Sequence, residues 1–99
     1  MTMRTMMMAA CAAALMATPA FATGKMKCDV KPEDRKPIEA LKAELVKQGW
    51  TVAKAKLDGG CYEVYGVMPE TGRVEAYFHP VTFEKLFVEQ RGKVIFRKG

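Results

Sequence analysis

The chain has 99 residues, of which 49% are hydrophobic and 27% charged, with a formal charge of +5. That is the size and balance of one small globular unit, and it excludes a second domain. The averages conceal a division: residues 1–22 hold 17 of the hydrophobic residues, six of the eight Met, one of the three Cys and a single charge, Arg4.

This opening stretch reads as an address. Residues 1–4 give a short positive start, and residues 5–17 form an apolar run of the length a signal-peptide core requires. A membrane-crossing helix needs about 20 apolar residues, and Pro19 interrupts this run first. Ala20 and Ala22 place small residues where a signal peptidase needs them, so cleavage is expected after Ala22. A lipid-modified Cys11 would have too few apolar residues ahead of it. The expected mature chain, residues 23–99, has 77 residues and a charge of +4. It contains no stretch long enough for a stable membrane anchor. Export to a periplasm, or secretion, removes nucleic acid from the expected partners despite the basic balance. Only Met26 and Met68 remain after cleavage, which does not support a methionine-rich metal site.

Two cysteines remain in the mature chain, Cys28 and Cys61. An even count in a small exported domain predicts a disulfide. The other uses of the pair, metal ligation or redox exchange, lack their spacing: there is no CxxC and the one His is His79. Residues 23–35 are polar and punctuated by Pro32, an extended leader that Cys28 would tie down. Pro37 then sets the first turn of a helix. Ile38, Leu41 and Leu45 share one face, Glu39 and Lys47 suit the macrodipole, and Gly49 ends the helix.

Three strand-like runs follow, at residues 50–57, 61–68 and 73–78. They are separated by Asp58-Gly59-Gly60 and by Pro69-Glu70-Thr71-Gly72, both of turn composition. Tyr62, Val64, Met68, Val74, Ala76 and Phe78 alternate with a mixed set on the other face. In the first run Lys54 and Lys56 share a parity with Trp50 and Val52, so a bulge is expected there, switching the inward set to Ala55 and Leu57. Phe83, Leu86 and Phe87 fit a helical turn, while residues 86–96 also fit a hairpin about Arg91-Gly92. A fourth strand near residues 86–89 is preferred. The expected fold class is α+β: one amphipathic helix packed on a three- to four-stranded antiparallel sheet, in a small single domain. Its core would span residues 36–90, with residues 91–99 a tail or last strand.

The order of these elements, with the segments DGGCYEVY at residues 58–65 and RVEAYFHPVT at residues 73–82, resembles exported PepSY-domain proteins of the bacterial envelope. The resemblance covers about residues 37–82. Where the family carries Asp-Pro-x-Thr-Gly at the last turn, this chain has His79-Pro80-Val81-Thr82-Phe83. The resemblance implies a helix across an antiparallel sheet and no enzymatic activity. Related domains stand in propeptides of thermolysin-like metalloproteases, with an inhibitory or chaperone-like role proposed for them.

The residues themselves offer no converging nucleophile, base and acid, so no catalytic residue and no metal or cofactor is expected. Candidate binding residues lie on the mixed sheet face: Tyr65 and Tyr77 pointing away from the helix, with Glu63, Arg73 and Glu75 beside them. Aromatic side chains among charges are suitable binding anchors. The expectation is a non-catalytic binding module for a peptide or envelope protein, modulating an envelope peptidase or assisting a folding partner. Pairing of an extended peptide with an edge strand is a second binding mode. The alternative is an accessory protein for haem or metal in an envelope redox system, with His79 or Met68 as ligands. The partner and the oligomeric state are not written in the sequence.

Overall fold

The structure is a computed structural model that describes residues 25–98; the expected export segment, residues 1–22, with its cleavage after Ala22, lies outside them. Pro37, with extended backbone, leads into helix α1 (Ile38–Lys47). Its inward stripe buries Leu41 and Leu45 completely, with Ile38 beside them. Gly49 takes φ 99°, which turns the chain so that the Gly49 and Trp50 amides return to the carbonyls of Val46 and Leu45, each at 3.0 Å. This satisfies two of the carbonyls a helix end leaves open.

Five antiparallel strands follow in simple chain order: β1 (Thr51–Asp58), β2 (Cys61–Met68), β3 (Gly72–Phe78), β4 (Lys85–Gln90) and β5 (Lys93–Arg97). The α+β class is as expected, but the three- to four-strand expectation is too low. The extra strand completes the hairpin read about Arg91-Gly92, and a bulge blurs its pattern. Arg91 and Gly92 both have positive φ, 52° and 78°, the backbone of a two-residue hairpin turn. The register between β4 and β5 then passes from Val88↔Phe96 to Glu89↔Val94, leaving Ile95 as the extra residue of a bulge. A bulged strand does not alternate, so Val94-Ile95-Phe96 reads as a featureless apolar run.

The bulge expected in β1 is present. Its register passes from Val52↔Gly66 to Lys54↔Tyr65, with Ala53 as the extra residue. Val52 and Ala55 both pack on the core as a result. Leu57 continues the inward set only nominally, because it remains exposed. Against α1 the sheet presents Trp50, Tyr62, Val64, Val74, Ala76, Phe78 and Val88, all buried. Trp50 and Phe78 meet edge to face at 5.7 Å, the arrangement aromatic quadrupoles favour.

The opposite face is also covered. Cys61, Tyr77 and Phe87 are buried there under Met26 and Cys28 of the leader, with Leu86 at the side. Cys28 and Cys61 form the expected disulfide, their Cα atoms 5.0 Å apart. The Cys28 amide also donates to the Gly59 carbonyl at 2.8 Å. Gly59 and Gly60 serve more than the turn: a Cβ on Gly59 would run into the Met26 carbonyl, and one on Gly60 into that of Cys28. The paired glycines are what allow the leader to lie this close to the sheet. Among the described residues no helix is long and apolar enough to cross a membrane.

Candidate functional site

The five candidate residues of the mixed face do stand together. Antiparallel pairing places Glu63 opposite Tyr77, Tyr65 opposite Glu75 and Val67 opposite Arg73. Their exposure divides them. Tyr77 is only 2% exposed; its ring meets Phe87 edge to face at 5.9 Å, and its hydroxyl donates to Asp58 Oδ2 at 2.7 Å. It is a core residue of the covered half of this face and cannot serve as an exposed anchor. Glu63 is 3% exposed, leaving Tyr65, Glu75 and Arg73 as the accessible members.

Alternation in the first two strands did not reveal what surrounds them. Lys25, from the leader, reaches Glu89 at 2.8 Å and Glu75 at 3.8 Å. Its ammonium is held above its ordinary pKa, chiefly by the hydrogen bond to Glu89. Lys54 and Lys56 place their ammonium groups 5.7 and 5.9 Å from the centre of the Tyr65 ring, within cation–π range. The bulge at Ala53 directs these two lysines outward, so their position follows from the same feature that repairs the β1 pattern. Gln90 donates from Nε2 to the carbonyls of Thr71 and Arg73, at 2.9 and 3.3 Å. It ties the end of β4 to the β2–β3 turn.

Tyr65 and Gln90 border an open groove of about 460 Å³, lined among others by Ala53, Arg73, Glu75, Glu89 and Arg91. Burial, then hydrogen bonding to Glu63 and the charges of Glu63, Glu75 and Asp58, push the Tyr65 hydroxyl up to about 12. It therefore stays protonated and neutral through the physiological range. Burial likewise raises the Glu63 carboxyl, with Asp58 and Glu75 adding to the effect; Lys56, 3.8 Å away, and Tyr65 oppose it without overcoming it. Burial pushes the Tyr77 hydroxyl well up, reinforced by its bond to Asp58. Lys54, Arg73 and Arg91 form no ion pair among the described residues, whereas Glu75 and Glu89 share the single ammonium of Lys25. The groove offers an aromatic surface beside two arginines and two carboxylates.

His79 and Met68 do not converge. Met68 packs on the helix-side core and lines a cleft with Trp50 and Phe83, while His79 lines a separate cleft with Asp29 and Asp34. The His79 ring is occupied in the β3–β4 hairpin: its Nδ1 accepts the amides of Val81 and Thr82 at 3.1 and 3.3 Å. A carboxylate at that position would accept in the same way. Four residues on, Phe83 takes φ 65°, the left-handed conformation that a glycine adopts freely. Its amide closes on the His79 carbonyl at 2.9 Å, so the hairpin forms with His79 and Phe83 standing where the family places Asp and Gly. Among the described residues, no group of three His, Cys, Asp or Glu side chains could hold a metal ion.

Searches of the curated proteins and of the solved structures return no match. A family model described as "Peptidase propeptide and YPEB domain", of the PepSY type, matches residues 6–87. The match reaches beyond the DGGCYEVY and RVEAYFHPVT segments to take in the leader, the helix and the first half of β4. With a match of that length running through every element from the leader to β4, the chain belongs to the PepSY family of peptidase propeptide and YPEB domains.

Proposed function

We propose that this chain is a non-catalytic, exported binding module that engages an extended peptide segment of an envelope protein, a peptidase or a folding partner, across the groove at Tyr65. Family membership supports a propeptide-like module. The observation that carries the peptide-binding reading is the groove itself, an opening of about 460 Å³ lined by Tyr65, Arg73 and Arg91, with the Lys54 ammonium 5.7 Å from the centre of the Tyr65 ring. An aromatic ring provides apolar contact at low entropic cost, and guanidinium groups provide directed hydrogen bonds to carbonyls and carboxylates. Export, cleavage after Ala22 and a periplasmic or secreted location belong to this proposal, which rests on the character of residues 1–22.

Titrating the oxidised 23–99 chain with a pool of capped unstructured peptides, and following backbone amide signals, tests the reading. Saturable shifts at Tyr65, Arg73 and Glu75, lost in Tyr65→Ala while the remaining spectrum stays native, are expected. Shifts absent from this face, or unaffected in Tyr65→Ala, would refute it.

A further inference from the structure

The two edges of the sheet are unlike. At the β1 edge, Lys54 and Lys56 project outward and Leu57 is the one large apolar side chain left exposed. Bulges and lysines of this kind are how proteins blunt an edge against pairing. At the β5 edge every residue is exposed. Val94, Ile95 and Phe96 are 42%, 42% and 38% exposed, half of the exposed large hydrophobic residues in the described part of the chain. Among the described residues nothing pairs with the outer side of β5.

The charges carried by β5 and its flanks are all of one sign, and Glu89, which stands opposite Val94 on β4, is paired with Lys25. Residues 91–98 contain Arg91, Lys93, Arg97 and Lys98 and no acid. Lys85 adds a cation 4.6 Å from the centre of the Phe96 ring, and the Arg97 guanidinium lies 5.0 Å from the Phe87 ring centre. Glu84, another acid nearby, is paired with Lys98 at 3.0 Å. A second copy of β5 would lay against it the same four cations, Arg91, Lys93, Arg97 and Lys98, with no acid among them. Like charges directly opposite one another destabilise a strand pair. A strand carrying acids on either side of a short apolar centre would instead match both the cations and the triplet.

We infer that the outer edge of β5 is a strand-addition site for an extended segment of another protein, apolar at its centre and acidic at its flanks. The backbone amides and carbonyls of β5 supply the pairing, Val94 and Phe96 supply side-chain contact on opposite faces, and Lys93 and Arg97 set the preference for acid. The site lies outside the Tyr65 groove and does not depend on it.

A short capped peptide with two glutamates on either side of three valines, and its lysine counterpart, are titrated separately into the oxidised 23–99 chain, with amide exchange read residue by residue. The glutamate peptide is expected to protect residues 93–97 and to bind about tenfold more tightly than the lysine peptide, as two matched instead of two mismatched charge pairs would give. In the Lys93→Glu, Arg97→Glu double variant the preference should reverse. Equal affinity for the two peptides, protection confined to the Tyr65 groove, or self-association of the chain through β5 would each overturn the assignment. An unchanged preference in the double variant would do so as well.

Discussion

Tyr65 and Tyr77 point to the same face from neighbouring strands, and their different burial gives them opposite roles. Tyr77→Ala removes a buried ring and orphans Asp58, so a loss of about 3–5 kcal/mol in urea unfolding is expected. Tyr65→Ala exchanges a half-buried ring at the rim of a groove and should cost less than about 1 kcal/mol. Binding can therefore be probed at Tyr65 alone, while a variant at Tyr77 reports on the fold. His79 makes a comparable distinction. His79→Ala deprives the Val81 and Thr82 amides of their acceptor and should cost about 1 kcal/mol, the usual cost of losing such a local cap. His79→Asp restores an acceptor and should melt within a few degrees of the natural chain.

Glu63 carries the pH dependence. Its carboxyl is raised above the ordinary glutamate value of 4.5 by burial, so the native state holds that proton at pH values where the unfolded chain has lost it. The resulting penalty is absent below the unfolded value and complete above the folded one, and it weakens as pH falls through that interval. Comparing urea midpoints of Glu63→Gln and the natural chain across the acid range should show their difference shrinking as pH falls. A difference independent of pH would contradict the burial argument.

At the scale of elements, the leader changes the sheet from one-sided to two-sided. Met26 and Cys28 cover Tyr77 and Phe87, held by the disulfide and one backbone bond to Gly59. Closing a loop of this length stabilises by about 3–4 kcal/mol in the chain-entropy description. Reduction with a dithiol should lower the unfolding free energy by that order and speed amide exchange at Tyr77 and Phe87, with smaller effects on α1. The helix and β1 to β3 were legible because each has a clean signal: apolar positions three and four apart before Gly49, and alternation between glycine turns. The β1 bulge was legible from the parity clash of Lys54 and Lys56. β5 was legible only as one of two readings, a tail or a last strand, because its bulge at Ile95 destroys alternation. The covering of the second face was not legible either. Nothing in residues 25–30 has a period, and the need for glycine at both 59 and 60 looks the same whether it serves a turn or a close approach. For the same reason Tyr65 was correctly placed on its face while the burial of Tyr77 was hidden.

For the molecule as a whole, the basic charge of the chain is not spread evenly. The acids of the second face pair with Lys25 and Lys56, while Lys54 stands over Tyr65, Arg73 and Arg91 line the groove, and Lys93 and Arg97 lie on β5. The chain is a PepSY-family domain with two closed core clusters and an open groove lined by Tyr65, Arg73 and Arg91, the surface on which the proposed segment would rest. The most direct measurement is site-specific photo-crosslinking in cells that export the protein, with the reactive residue placed once at position 65 and once at position 47 on the outer side of α1. A discrete protein adduct from position 65, absent from position 47 and diminished by Arg73→Glu, is expected. No adduct from position 65, or the same adducts from both positions, would contradict the assignment of the groove as the binding surface.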